Sequence, residues 1–177
     1  QEESSIFDIL ENIKPVRGRM ELAATKKNGA TVYVDYAHTP DAIEVALKSL
    51  KLHILGKLIV VIGAGGERDE GKRPLMGAAA EQNSDFVIIT DDNPRNEDPS
   101  VIHQMIKSGI QNDNKVKVIA DRAEAILTAV DLLEVGDGLL IAGKGHETEQ
   151  VIGENNFPFD DFEQASLSVA SLDGIEQ

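Results

Sequence analysis

Five short apolar runs, each ending in a burst of polar residues, constrain this chain more than any other feature. Val32–Val34 leads into Asp35, Tyr36 and His38, and Leu58–Ile62 into Gly63 through Asp69. Phe86–Ile89 leads into Asp91 through Arg95, Val116–Ile119 into Asp121 and Arg122, and Leu139–Ala142 into Gly143 through Glu147. Leu58–Ile62 has no polar alternation, as expected of a strand covered on both faces. Between the runs, apolar residues recur at helical spacing, as at Ile43, Ala46, Leu47 and Leu50. Strands alternating with helices predict an α/β fold: a mostly parallel sheet with helices on both faces. In such a sheet ligands gather at the carboxyl ends of the strands, where every polar burst falls.

Local signals place the elements. Ser5 with Ile6, Ile9, Leu10 and Ile13 predicts a short helix over 5–14, followed by a linker over 15–19. The first strand is expected over 31–36. Thr39 and Pro40 suit the cap and first position of the helix behind it. A helix should begin near Pro74. Asp98 and Pro99 open another, carrying Val101, Ile102, Met105 and Ile106, with Gly109 placed to end it. Asp121 with Glu124 resembles a capping box before Ile126, Leu127, Val130 and Leu133, and Gly136 stops that helix. A hairpin or edge strand around Gly153 and a helix over 161–170 close the pattern.

Composition excludes several classes of function. The 177 residues fit one domain and can bury a core. The formal charge of −14 argues against nonspecific nucleic-acid or membrane binding. An anion site must therefore be built locally. Without cysteine there is no disulfide framework and no thiolate metal site, which suits a cytoplasmic setting. No apolar stretch approaches the ~20 residues that span a bilayer, and residues 1–15 are too polar for a signal peptide. His38, His53, His103 and His146 lack metal-ligand spacing. No Ser sits in a nucleophile-elbow context.

The glycine loop at Gly63-Ala64-Gly65-Gly66-Glu67-Arg68 misses a dinucleotide fingerprint, because Arg68 replaces its third glycine. Gly66 through Lys72 misses a phosphate loop, because Arg73 replaces the required Ser or Thr. Arg68, Lys72 and Arg73, mixed with Glu67, Asp69 and Glu70, fit a pocket for a zwitterion better. In Asp91-Asp92-Asn93-Pro94-Arg95 the proline restricts Asn93, and the planar fork of Arg95 suits a carboxylate. The same string also reads as an ordinary turn before the Asp98 cap. Gly143 and Gly145 let backbone approach a ligand, and Glu147 can pair with an ammonium; a plain glycine turn fits as well. Asp35 can accept from ribose hydroxyls, while His38, with helix-capping neighbours, is better explained by structure than by chemistry. These residues describe an edge suited to a small amino acid and name no reaction.

Certain strings go further together. Gly18-Arg19-Met20-Glu21, Val34 through Asp41, Gly65 through Asp69, Lys72 through Met76, Asp91 through Arg95 and Ala142 through Glu147 run in order across nearly the whole chain. On these the chain resembles the C-terminal domain of the Mur ligase family, on the branch that adds meso-diaminopimelate. Arg17 and Glu67 depart from that pattern, standing where Pro and Asp are common. The resemblance implies a Rossmann-like sheet, with residues 1–16 ending a central ATPase domain and 17–177 forming an amino-acid-binding domain. It implies ATP-dependent amide formation assisted by Mg2+. The D-glutamate carboxylate of a UDP-N-acetylmuramoyl dipeptide is phosphorylated, and the incoming amine then displaces phosphate. It further implies that Arg68, Asp92, Asn93, Arg95, Gly143 and Glu147 grip diaminopimelate. Arg19, Asp35 and His38 would face the nucleotide. The phosphate loop, modified lysine and UDP-sugar domain of the family are expected upstream, so no catalytic residue or metal ligand is assigned here. A binding module without turnover, or a related ligase for another amino acid, remains compatible with the residues.

Overall fold

The computed structural model describes residues 16–174. The predicted helix over 5–14 lies outside them, as does nearly all of the segment assigned to a preceding domain. Eight strands and five α-helices follow: β1 (Glu21–Thr25), β2 (Thr31–Asp35), α1 (Pro40–Lys51), β3 (Leu58–Ile62), α2 (Lys72–Asn83), β4 (Phe86–Ile89), α3 (Pro99–Lys107), β5 (Val116–Val118), α4 (Arg122–Asp131), β6 (Gly138–Ala142), β7 (Glu149–Ile152), β8 (Asn155–Pro158) and α5 (Asp161–Asp173). Six strands form one sheet in the order β1-β2-β6-β3-β4-β5. All its neighbours are parallel except β1, which runs antiparallel to β2.

Each buried strand feeds two cores. From β3, Leu58, Val60 and Ile62 point to one face, where they meet Leu47 of α1, Met76 of α2 and Ile106 of α3. Ile59 and Val61 point to the other, against Ile126 of α4 and Val169 of α5. Helices thus cover both faces, which is why β3 and β6 carry no polar residue. The helix starts follow from their caps: Thr39, Asp98 and Asp121 each accept a backbone N–H from the first turn of α1, α3 and α4.

Three features depart from the expectations. β1 carries no pattern that predicts a strand, since a bulge between Leu22 and Ala24 breaks its alternation. The turn after it, Asn28-Gly29 with Gly29 at φ 86°, is the hairpin signal that marks this strand. Gly109 does not end α3 through a left-handed cap. It lets the end of α3 press on α2, where a Cβ would lie 1.8 Å from the Pro74 carbonyl oxygen. The helix predicted near Pro74 begins two residues earlier, at Lys72.

The sheet order reverses between β2 and β3. From β3 the chain steps outward to β4 and β5, then returns to insert β6 beside β2. That insertion makes a topological switch point, and the crevice it opens at the strand ends is where such folds bind ligands.

Candidate functional site

A cleft of about 190 Å³ occupies this switch point. Its walls come from four strand ends: Tyr36 and His38 after β2, Gly63 through Gly65 with Arg68 after β3, Asp92, Asn93 and Arg95 after β4, and Gly143 and Glu147 after β6. Lys72 of α2 completes the rim. The burst after β5 does not reach the cleft; its Arg122 works from behind.

The β3 and β4 loops form a single wall. Gly66 N–H donates to the Asn93 carbonyl at 2.9 Å, and a Cβ at Gly66 would lie 1.9 Å from the Pro94 carbonyl oxygen. Close contact between backbones explains this glycine without any phosphate. Arg95 stands at the wall's end with φ 54°. The hairpin of β7 and β8 holds it there: Arg95 N–H donates to the Val151 carbonyl at 3.0 Å, and Gly153 N–H donates to the Arg95 carbonyl at 2.7 Å. One guanidinium nitrogen, Nη1, donates to the Gly66 carbonyl at 2.8 Å. Among the described residues, no carboxylate lies within ion-pair distance of Arg95, Arg68 or Lys72.

The acidic side of the cleft is Asp92 and Glu147. Glu147 Oε2 accepts from Asn93 Nδ2 at 2.9 Å. Gly143, at φ 121°, passes so close to Asp92 that a Cβ would meet its Oδ2 at 2.7 Å. Behind both loops lies Arg122, fully buried. It pairs with both Asp161 oxygens at 2.7 Å and donates to the Asp91 and Ala142 carbonyls at 3.1 Å. Burial pushes this guanidinium's pKa down, but the Asp161 charge more than offsets it, leaving the pKa above its ordinary value.

All six residues expected to grip an amino acid therefore line one cleft. The nucleotide trio is divided. His38 lies on the rim; its Nδ1 is 2.7 Å from the Tyr36 carbonyl. Arg19 stacks over the Tyr36 ring, 5.0 Å from its centroid, outside the cleft. Asp35 sits at the end of β2 and spends Oδ2 on the Met20 N–H at 2.7 Å. Arg73, expected among the pocket cations, turns inward instead. It is 0% exposed and bonds Glu97 through both terminal nitrogens, at 2.9 and 3.0 Å. Helical spacing decides this, because Arg73 falls on the core face of α2 with Met76 and Ala80. Glu67, Asp69 and Glu70 point to solvent, so the acids of the cleft come from other strands. Tyr36 was not singled out by the sequence, yet its ring joins His38 and His146 at centroid distances of 4.5 and 5.1 Å. Its signal was its place, since it is the aromatic residue among the strand-end polar bursts.

The cleft thus opposes three cations, which have no carboxylate partner among the described residues, to two carboxylates. This is the arrangement for a compact molecule bearing both an acid and an amine. Among the described residues, no group of three or more His, Asp or Glu is placed to hold a metal ion. No helix there is long and apolar enough to cross a membrane.

Fold and cleft together define an α/β ligand-binding domain with its site at the topological switch point of the sheet. Residues 18–145 match the model of the family described as Mur ligase, glutamate ligase domain, and the chain belongs to that family. Within it, the chain is 48% identical over 168 residues to a UDP-N-acetylmuramoyl-L-alanyl-D-glutamate--2,6-diaminopimelate ligase from Bradyrhizobium diazoefficiens, covering 95% of this chain and 34% of that protein. It is 51% identical over 160 residues to the ligase of the same name from Coxiella burnetii, covering 90% of this chain and 32% of that protein. A solved structure of a ligase of this name superposes with a TM-score of 0.83 at 40% identity, over 93% of this chain and 34% of that one. The chain spans about a third of the length of these relatives. The fold extends further, to a folylpolyglutamate synthase/dihydrofolate synthase of Yersinia pestis solved with AMPPNP and a Mn ion, at a TM-score of 0.59 and 15% identity, over 89% of this chain and 32% of that one.

Proposed function

We propose that this chain is the amino-acid-binding domain of an ATP-dependent ligase that joins meso-diaminopimelate to UDP-N-acetylmuramoyl-L-alanyl-D-glutamate in the cytoplasm. The observation that carries the reading is Arg95: a guanidinium fixed by a strained backbone, opening on a cleft with no carboxylate partner of its own among the described residues. Diaminopimelate ends in a carboxylate and an ammonium on one carbon. The Arg95 fork, with Arg68 beside it, suits the carboxylate. Glu147, Asp92 and the Gly143 carbonyl suit the ammonium. The shared name of the relatives at 48% and 51% identity supports the same substrate.

The nucleotide and magnesium belong mainly to the remainder of the ligase. ATP supplies the phosphoryl group that activates the D-glutamate carboxylate. This chain's part is to bind the amine and hold it in line for attack. Arg19 and His38, on the Tyr36 edge, are the groups offered toward the nucleotide, with Asp35 behind them. Asp35 also holds the Arg19 turn in place through the Met20 N–H.

Steady-state turnover of the full-length ligase with meso-diaminopimelate and with L-lysine tests this. The expected result is a kcat/KM higher for meso-diaminopimelate by about 100-fold, since lysine has no far-end carboxylate to make charge-assisted bonds with Arg95. Equal use of lysine would overturn the assignment.

A further inference from the structure

Lys144 is a fully buried cation directly behind the cleft, outside its lining. Its ammonium faces Asn93 Oδ1 at 3.0 Å, Glu147 Oε2 at 3.3 Å and the Glu149 carbonyl. An ammonium has three donors and no acceptor, so these three partners satisfy it completely. A compact, tetrahedral donor set fits here; the planar fork of arginine does not match it.

The consequence falls on Asn93. Its Oδ1 also accepts from the Val151 N–H at 3.0 Å. With two donors converging on one side of the amide, the oxygen must face them; the flipped amide would set donor against donor. Nδ2 is therefore turned to Glu147 Oε2. That oxygen is now held by two donors, one of them charged. Glu147 Oε1 has no partner among the described residues, and Glu147 lines the cleft while Lys144 does not.

We propose that Lys144 is the positioning residue for amine recognition: by fixing the amide of Asn93 and one oxygen of Glu147 from behind, it presents the other Glu147 oxygen to the ammonium of the ligand. This rests on the ligase reading above.

In the full-length ligase, Lys144→Met keeps the aliphatic stem and removes the donors. The KM for meso-diaminopimelate is expected to rise by about tenfold or more, with the KM for ATP unchanged and kcat less affected than kcat/KM. In a Glu147→Gln background the same substitution should add little, because the two residues act as one unit. Equal changes in both KM values, or additive effects in the double variant, would mean a merely structural lysine and would overturn the proposal. Should Lys144→Met fail to fold, the unmutated protein labelled with 15N still decides. The Lys144 ammonium protons should exchange slowly with water and shift as meso-diaminopimelate is added. Rapid exchange, or no shift on saturation, would overturn it. An unmutated ligase without diaminopimelate-dependent turnover would instead sink the functional reading itself.

Discussion

Arg95 holds a left-handed backbone, φ 54°, which for a residue with a side chain costs about 1–2 kcal/mol. The two hairpin hydrogen bonds offset that cost and leave the guanidinium aimed at the cleft. Arg95→Gly is expected to relieve the strain and raise the unfolding midpoint above that of Arg95→Ala in a thermal melt. Both substitutions should weaken meso-diaminopimelate binding by about 10- to 100-fold, the worth of a charge-assisted hydrogen bond, as titration calorimetry would show. Arg95→Lys should restore only part of the loss, because a point charge cannot grip both carboxylate oxygens. A residue that gains stability and loses ligand when simplified is one whose strain serves binding.

Contact between elements explains what single residues do not. The α2–α3 contact depends on Gly109, where the neighbouring Pro74 carbonyl leaves no room for a methyl group. Gly109→Ala should cost about 1–3 kcal/mol in denaturant unfolding, the range for overpacking a rigid contact. The β3 loop depends on Glu97, which pairs with Arg73 and accepts the Glu67 N–H. The Arg73 hydrogen bonds, joined by the Glu67 N–H, hold its carboxyl below the ordinary value of 4.5. The folded chain thus favours the anion, and the contribution is fully present above pH 4.5. As the pH falls below that value, the unfolded chain takes up the proton first and the contribution fades. The gap in unfolding midpoint between the native chain and Glu97→Gln should accordingly narrow on acidification. A gap that widens would contradict this assignment.

Across the whole molecule, Arg122 joins layers that are distant in sequence. Its bonds to Asp161 of α5 and to carbonyls at the ends of β4 and β6 tie both helix layer and sheet to the floor of the cleft. Asp161→Asn would leave a buried guanidinium with no opposing charge in contact. A loss of about 3–5 kcal/mol in denaturant unfolding is expected. Arg122 and Asp161 replaced together by Met and Leu should recover much of it, since a paired charge is replaced rather than orphaned.

The sequence alone determined the layered α/β class, because strands buried on both faces must be apolar throughout and helices between them must carry one apolar stripe. Strand ends carry the polar bursts, four of which meet at the cleft, and the resemblance to the Mur ligase family named the six residues that line it. The residue types alone did not distinguish Arg73 from Arg68, did not reveal β1, and gave Lys144 no role. Each of these depends on partners that a segment's own sequence does not name: a helix face buried against its neighbours, an edge strand defined by its pairing, and a buried ammonium defined by one acceptor from the loop after β4 and two from its own segment. Local propensity records what a segment prefers; only the folded chain brings together the groups that decide which cation meets solvent and which one braces the site from within.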